Sequence, residues 1–525
     1  MLKATLRGAA LVGLLAWSVP AFAEVQNVRV SGDITTRAFF RSNLDLNAHD
    51  DNNDFNGDPQ QAVDDIHPVH DGHDDFFMTT TGINVGADLT ENVSAFVRVA
   101  NERDWNSSEQ SELDTAGNVH ESRNRGDVEI SQAYVTLKEL FYSPLTVRVG
   151  TQPITWGRGF VLGSSLLQSI AGNSANPVNI SNGASLVGID RNNAISADEY
   201  TDFTAFDAIR ATLDLSGLAA DVPPVTLDYV YIKGDENQIG SSDDVNIQGV
   251  NLSTRFDSMN SEFESYFLHK LDRSVLLYQT LGASPAPAES DTGNINTLGF
   301  RGSVQPVEGS LLFGELAYQW GQRGVDPYGI LSAGDSHQAW AADLGAEYTL
   351  SDVAMTPKFG AEWIFYSGKD LDGAIAGWDP IARSYFTSAL REFQNPGFYP
   401  AAQTCNTSGS TGGAGGAFGP CTGSSTNQHQ LSLYASLKPI EDLTVAPRLS
   451  WFILDVPALP TGADGNLNIK RQSYAGWEWD TQVTYDYTDD VQFGVLYGLF
   501  GPGPVYRHPN DNKSQELVTT VSVKF

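Results

Sequence analysis

Long apolar runs are missing from this chain of 525 residues. After Ala23 no stretch approaches the ~20 consecutive apolar residues that a membrane-spanning helix needs. A bilayer can then be crossed only by a closed barrel, the other structure that satisfies its own backbone. Cysteine is almost absent, 2 residues in all, with no CxxC pair for zinc and no CxxCH for covalent haem. Basic residues are scarce, 31 Lys+Arg against 64 Asp+Glu for a net charge of −33, which disfavours nucleic acid as a partner. Histidine numbers 9, and no Ser/His/acid spacing marks a nucleophile with its base, so catalysis is not expected.

The first residues have the layout of an export signal. Lys3 and Arg7 give a positive start, Ala9 to Trp17 an apolar core too short to span, and Ala21-Phe22-Ala23 a cleavage site. Residues 1–23 are therefore expected to be removed, leaving 24–525 as one domain.

Period-two alternation fills the rest. Val93, Ala95, Val97 and Val99 oppose Ser94, Arg98 and Glu102; Leu145, Val147 and Val149 oppose Thr146, Arg148 and Gly150. Strands are predicted at 27–40, 76–88, 93–105, 127–138, 144–153, 206–215, 225–234, 244–257 and 262–272. They continue at 293–305, 310–322, 337–349, 356–367, 428–437, 443–454, 476–487, 491–500 and 515–525. The connections mostly alternate between brief turns such as 89–92 and 306–309 and long loops, notably 41–75, 154–205 and 368–427. A sandwich has no reason to sort loops by parity. A transmembrane antiparallel barrel of about eighteen strands does, with short periplasmic turns, long external loops and both termini in the periplasm. Aromatics near strand ends, among them Trp105, Trp340 and Trp477 with Trp479, suit interfacial girdles.

The acid collects in loops. From Asp45 to Asp75 there are ten Asp and neither Lys nor Arg. Three readings stay open. The loop is either simply solvated, or crosslinks neighbouring lipopolysaccharide through divalent cations, or else it is a calcium site from Asp50, Asp51, Asp54 and Asp58. No cofactor is required. Cys405 and Cys421 share one long loop and in an oxidising compartment are expected to pair, worth about 3 kcal/mol by chain entropy.

The polar phase of the strands carries Arg98, Arg148, Arg210, Arg255, Arg301 and Arg448, with Glu315, Asp343 and Glu362 as a facing acidic wall. Such rows either set up a selectivity field across the lumen or pair across the wall and stiffen it. After Gln152, Pro153 should end regular pairing, and Trp156 and Arg158 would sit at the base of a loop that either folds inward or lies across the rim.

The strand Leu145-Thr-Val-Arg-Val-Gly-Thr-Gln152, its Trp- and Gly-containing turn, the strand count and the inward arginines resemble outer-membrane porins of the alginate-export type. The final alternating strand ending in Phe525 resembles the C-terminal signal read by the barrel assembly machinery. Size and strand number are also similar to those of substrate-specific porins for amino acids and aromatic acids. The resemblance implies a monomeric, outer-membrane channel for passive, fairly selective diffusion of small polar or anionic solutes or an oligosaccharide. A scaffold barrel binding cations or a partner, such as the sheath of a periplasmic electron carrier, is the alternative.

Overall fold

The computed structural model describes residues 27–43, 46, 73–105, 112–113, 119–120, 128–164, 197, 200–216, 223–235, 245–272, 293–322, 336–368, 377–379, 381–391, 426–458, 470–506 and 512–525. The expected export signal, the acidic group Asp50, Asp51, Asp54 and Asp58, and both cysteines, Cys405 and Cys421, lie outside the described residues.

Eighteen long strands follow one another. The first nine are β1 (Asn27–Ser42), β2 (His73–Thr90), β3 (Val93–Asp104), β4 (Glu129–Leu137), β5 (Leu145–Gln152), β6 (Phe206–Asp214), β7 (Val225–Asp235), β8 (Val245–Phe256) and β9 (Ser261–Asp272). The rest are β10 (Gly293–Val304), β11 (Ser310–Gln322), β12 (Ser336–Thr349), β13 (Lys358–Tyr366), β14 (Gln428–Ile440), β15 (Leu443–Ala458), β16 (Gln472–Asp486), β17 (Val491–Pro502) and β18 (Ser514–Lys524). Each pairs antiparallel with its successor, and β18 pairs with β1, so the eighteen-stranded sheet closes into a barrel. A separate two-residue ladder joins Glu112–Leu113 to Val119–His120. Among the described residues no helix is long and apolar enough to cross a membrane.

Closure follows from the alternation. On one phase Val30, Val149, Ile209, Leu431 and Leu433 stand exposed, a hydrocarbon surface that suits lipid. On the other phase Arg98, Asp343, Glu362 and Glu516 are buried in the interior. The outward phase carries stacked aromatics, Phe77 on Trp105 at 4.9 Å and Trp363 on Phe365 at 5.7 Å between ring centroids. Some strands begin earlier than the alternation suggested, while others, such as β4 and β13, are a few residues shorter. β2 begins at His73 rather than 76 and β16 at Gln472 rather than 476, because an extended backbone beside a paired partner keeps its ladder bonds beyond the apolar band. β2, at 18 residues, is well above the ~9–11 that a bilayer requires.

The seam between β1 and β18 is locked at both ends. Gly32 and Phe525 exchange backbone bonds of 2.8 and 2.9 Å, and the Phe525 ring lies over Gly32, where a Cβ would stand 2.6 Å from Cζ. Toward the far end of β1, Arg41 Nε donates to Glu516 Oε2 at 2.5 Å in a buried pair.

Connections fold into the barrel and give it a core. The largest cluster joins Ile154, Trp156, Phe160, Val161 and Leu162 to wall residues such as Phe206, Val230, Ile247 and Leu268, and to Trp378, Ile381 and Ala382. Two smaller clusters form around Leu390, Phe452 and Phe500, and around Phe39, Met78 and Val518.

Candidate functional site

Pro153 has no N–H for the ladder, and β5 ends one residue before it, at Gln152. The chain then turns inward. Trp156 N–H donates to the Leu162 carbonyl at 2.9 Å, closing a loop whose apolar side chains enter the core. Gly157 (φ 57°) and Gly159 (φ 78°) take left-handed conformations that L side chains resist. A Cβ on Gly157 would lie 2.7 Å from Arg301 Cδ, so glycine is what lets the segment approach the wall.

Residues 377–379 and 381–391 belong to a second inward segment. Gly163 N–H donates to the Ala382 carbonyl at 2.7 Å, Ala382 N–H to the Val161 carbonyl at 3.2 Å and Ser384 N–H to the Gly159 carbonyl at 2.8 Å. The two segments are thus laced together across the interior and pinned to the wall by polar anchors. Trp156 Nε1 donates to Asp228 Oδ2 at 2.8 Å, and Gly157 N–H to Glu264 Oε2 at 3.0 Å. Arg158 reaches Asp343 and Glu362, both at 3.2 Å, and donates to the Tyr385 hydroxyl, which itself donates to Glu362 at 2.7 Å. Lys270 holds Asp379 at 3.0 Å. Glu478 accepts the backbone N–H groups of Ala389, Leu390 and Arg391 at 2.8, 2.8 and 2.9 Å.

Burial opposes the charge of the Arg158 guanidinium, but Tyr385, Asp343 and Glu362 outweigh it, so its pKa is raised. Burial, with Glu362 beside it, pushes the Tyr385 phenol well above its usual range. Both groups hold their protons at neutral pH.

The arginines of the polar phase are placed on the inner wall, and most are neutralised there. Arg98 pairs with Asp33 at 2.7 Å and with Asp202 at 2.8 Å. Arg210 pairs with Asp228 at 2.9 Å, Arg301 with Glu264 at 2.7 Å and Arg448 with Glu362 at 2.9 Å. Arg255 pairs with Glu262 at 3.0 Å near the β8–β9 turn, where its side chain is 78% exposed, away from the inward segments. Arg148 differs. It meets no carboxylate among the described residues, its Nε donates to Thr136 Oγ1 at 3.3 Å, and its guanidinium lies 4.6 Å from the Tyr134 ring centroid. Its register partner across the strands is Arg210. On the acidic side, Glu315 accepts from Tyr266 at 2.6 Å and stands in register between Arg301 and Asp343.

Trp156 and Arg158 both face the interior and touch different stretches of wall, Trp156 at Asp228 on β7 and Arg158 at β12 and β13. Asp228, Glu264, Lys270 and Glu478 could be placed on the inner phase by alternation, but their task as anchors could not. Tyr385, Asp379 and Asp202 lie in irregular connections, where no period marks them.

A model of the family described as alginate export matches residues 243–520, more than half of the chain. The chain belongs to the alginate export family. With its closed eighteen-stranded sheet, this family member is a porin-type channel of the outer membrane. No curated protein matches the chain. Among solved structures, OpdK of Pseudomonas aeruginosa is similar at 10% identity over 95% of this chain and 99% of that one, with a TM-score of 0.47. The same protein solved with vanillate gives 10%, 94%, 99% and 0.46 for the same four measures. OccAB3 of Acinetobacter baumannii gives 9% identity, 94% and 99% coverage, and a TM-score of 0.48. In this alginate-export barrel the described inner wall is a pattern of mostly paired charges, crossed by two laced segments, and Arg148 meets no carboxylate among the described residues.

Proposed function

We propose that the channel passes small polar or anionic solutes, acidic saccharides included, and that Arg148 is the group that recognises the anion. The carrying observation is the charge pairing. Arg98, Arg210, Arg301 and Arg448 already hold carboxylates, so a passing anion would have to displace a buried or partly buried partner to reach them. Arg148 has only a hydroxyl and a ring face, and a partly exposed side chain. A guanidinium in that state offers a solute carboxylate two parallel donors. Solutes would enter past the long outer connections and leave beside the short turns, with both termini on the periplasmic side.

The test is reversal potential of the refolded barrel in planar bilayers under a salt gradient, before and after Arg148→Gln. The expected result is anion preference that falls by up to about fivefold in the variant, the scale of one exposed charge–charge interaction. Cation preference in both proteins would assign selectivity to the carboxylates. A folded barrel that never conducts would favour the scaffold reading instead.

A further inference from the structure

The environment of Arg158 is more elaborate than a loop anchor needs. Its guanidinium carbon lies 3.9 Å from the Phe313 ring centroid and 4.2 Å from that of Tyr385, so the group is held between two aromatic faces. Its Nη1 meets Asp343 and its Nη2 meets Glu362, each at 3.2 Å. Both carboxylates are buried, at 1% and 3% exposure. A flat cation with donors along two edges fits two ring faces and two acceptors at once, whereas a spherical ammonium satisfies only part of that set.

Most of this cage is built without the arginine. Phe313, Asp343 and Glu362 sit on β11, β12 and β13, which are paired to one another. The Phe313 ring lies over Gly345, where a Cβ would be 2.1 Å from its Cζ, so its place is cut into the wall. Tyr385 comes from the second inward segment, with its hydroxyl on Glu362 and its N–H on the carbonyl of Gly159 beside Arg158. The guanidinium, by contrast, arrives on the inward segment and keeps its side chain 24% exposed.

We propose that Phe313, Asp343, Glu362 and Tyr385 form a guanidinium-binding socket that Arg158 fills from within the chain, latching the inward segment, and that the emptied socket takes a free guanidinium-bearing solute. The latching half rests on the channel reading above; the binding half does not. Tethering gives Arg158 an effective concentration in the millimolar range or above, so the intact protein should ignore free guanidinium below that level.

Two measurements on the full barrel test this, with guanidinium chloride at about 10 mM as the probe and ammonium chloride as its control, the concentration matched to such a tether. In bilayers, Arg158→Ala should show an added, larger conductance level. Guanidinium should cut the occupancy of that level roughly tenfold and ammonium should not. In detergent, the same guanidinium should raise the unfolding temperature of Arg158→Ala, the reverse of its action as a denaturant, and shift wild type, whose own arginine competes for the socket, far less. Adding Asp343→Asn should abolish both effects. Arg158→Lys, which keeps the charge and the fold, should still flicker to the larger level, because lysine cannot bridge both carboxylates.

Wild type and Arg158→Lys with identical traces would overturn the latch. Equal rescue by ammonium, rescue that survives Asp343→Asn, or no thermal shift in Arg158→Ala would overturn the socket. A thermal shift in a barrel that never conducts would keep the socket and remove the channel reading together with the latch.

Discussion

Trp156→Phe tests how firmly the inward segment is docked. The substitution leaves an aromatic ring in the main core cluster and deletes one donor, the Nε1–H that meets Asp228 Oδ2 at 2.8 Å in a buried setting. A hydrogen bond to a charged acceptor contributes ~1.5–3 kcal/mol. Asp228 keeps Arg210 at 2.9 Å and Thr212 at 2.7 Å, so it is not orphaned, and the loss belongs near the lower end, about 2 kcal/mol. Since 1.4 kcal/mol is tenfold in an equilibrium, the undocked population should rise ~30-fold. Trp156→Ala removes the ring as well, and at about 3–5 kcal/mol should raise it by a further one to two orders of magnitude. Single-channel recording reads both as the fraction of time spent in the level of larger conductance. A wild-type fraction in Trp156→Ala, from a barrel shown to be folded by heat-modified gel mobility, would refute the assignment of Trp156 as the docking anchor.

Two further outcomes are expected. Arg41→Ala takes from the buried seam the cation that Glu516 meets at 2.5 Å, and should lower barrel stability by up to about 3–5 kcal/mol, whereas Arg41→Met with Glu516→Leu should recover most of it, as seen in thermal unfolding. Glu478→Ala strips the acceptor from three backbone N–H groups and, after relief of the repulsion from nearby Asp480, should free residues 389–391 by about 3 kcal/mol; trypsin cleavage after Arg391 should then quicken ~100-fold.

Much of the wall was legible because a barrel repeats one rule. Alternation sets the phase of Arg98, Arg148 and Asp343 residue by residue, and the parity of the connections requires an even strand number, with sixteen to twenty fitting the sequence. Strand ends were less legible, as at His73 and Gln472, because ladder pairing beyond the lipid band needs no apolar phase. The site divides in the same way. Pro153 and the glycines after it mark a break in pairing, and Trp156 and Arg158 stood out beside them. What they would touch did not. Asp343 and Glu362 lie about two hundred residues away in sequence, and Tyr385 is reached only because two irregular segments are laced together. Alternation also gives direction without partners. It put arginines and carboxylates on one face but could not tell that Arg210 holds Asp228 while Arg148 holds only Thr136.

The seam has a consequence for how the protein is made. Arg41 and Glu516 stand 475 positions apart in sequence, so their pair forms only when the cylinder shuts, and the loop entropy is paid before any contact rewards it. A slip of one residue between β1 and β18 would turn Glu516 toward lipid and leave Arg41 alone among Phe39 and Phe76. Both errors cost several kcal/mol in a bilayer. At the other end, the Phe525 ring fits over Gly32 and over no side chain larger than hydrogen. The ion pair and the ring therefore tie the register at two points, and a cylinder misregistered by one residue loses both.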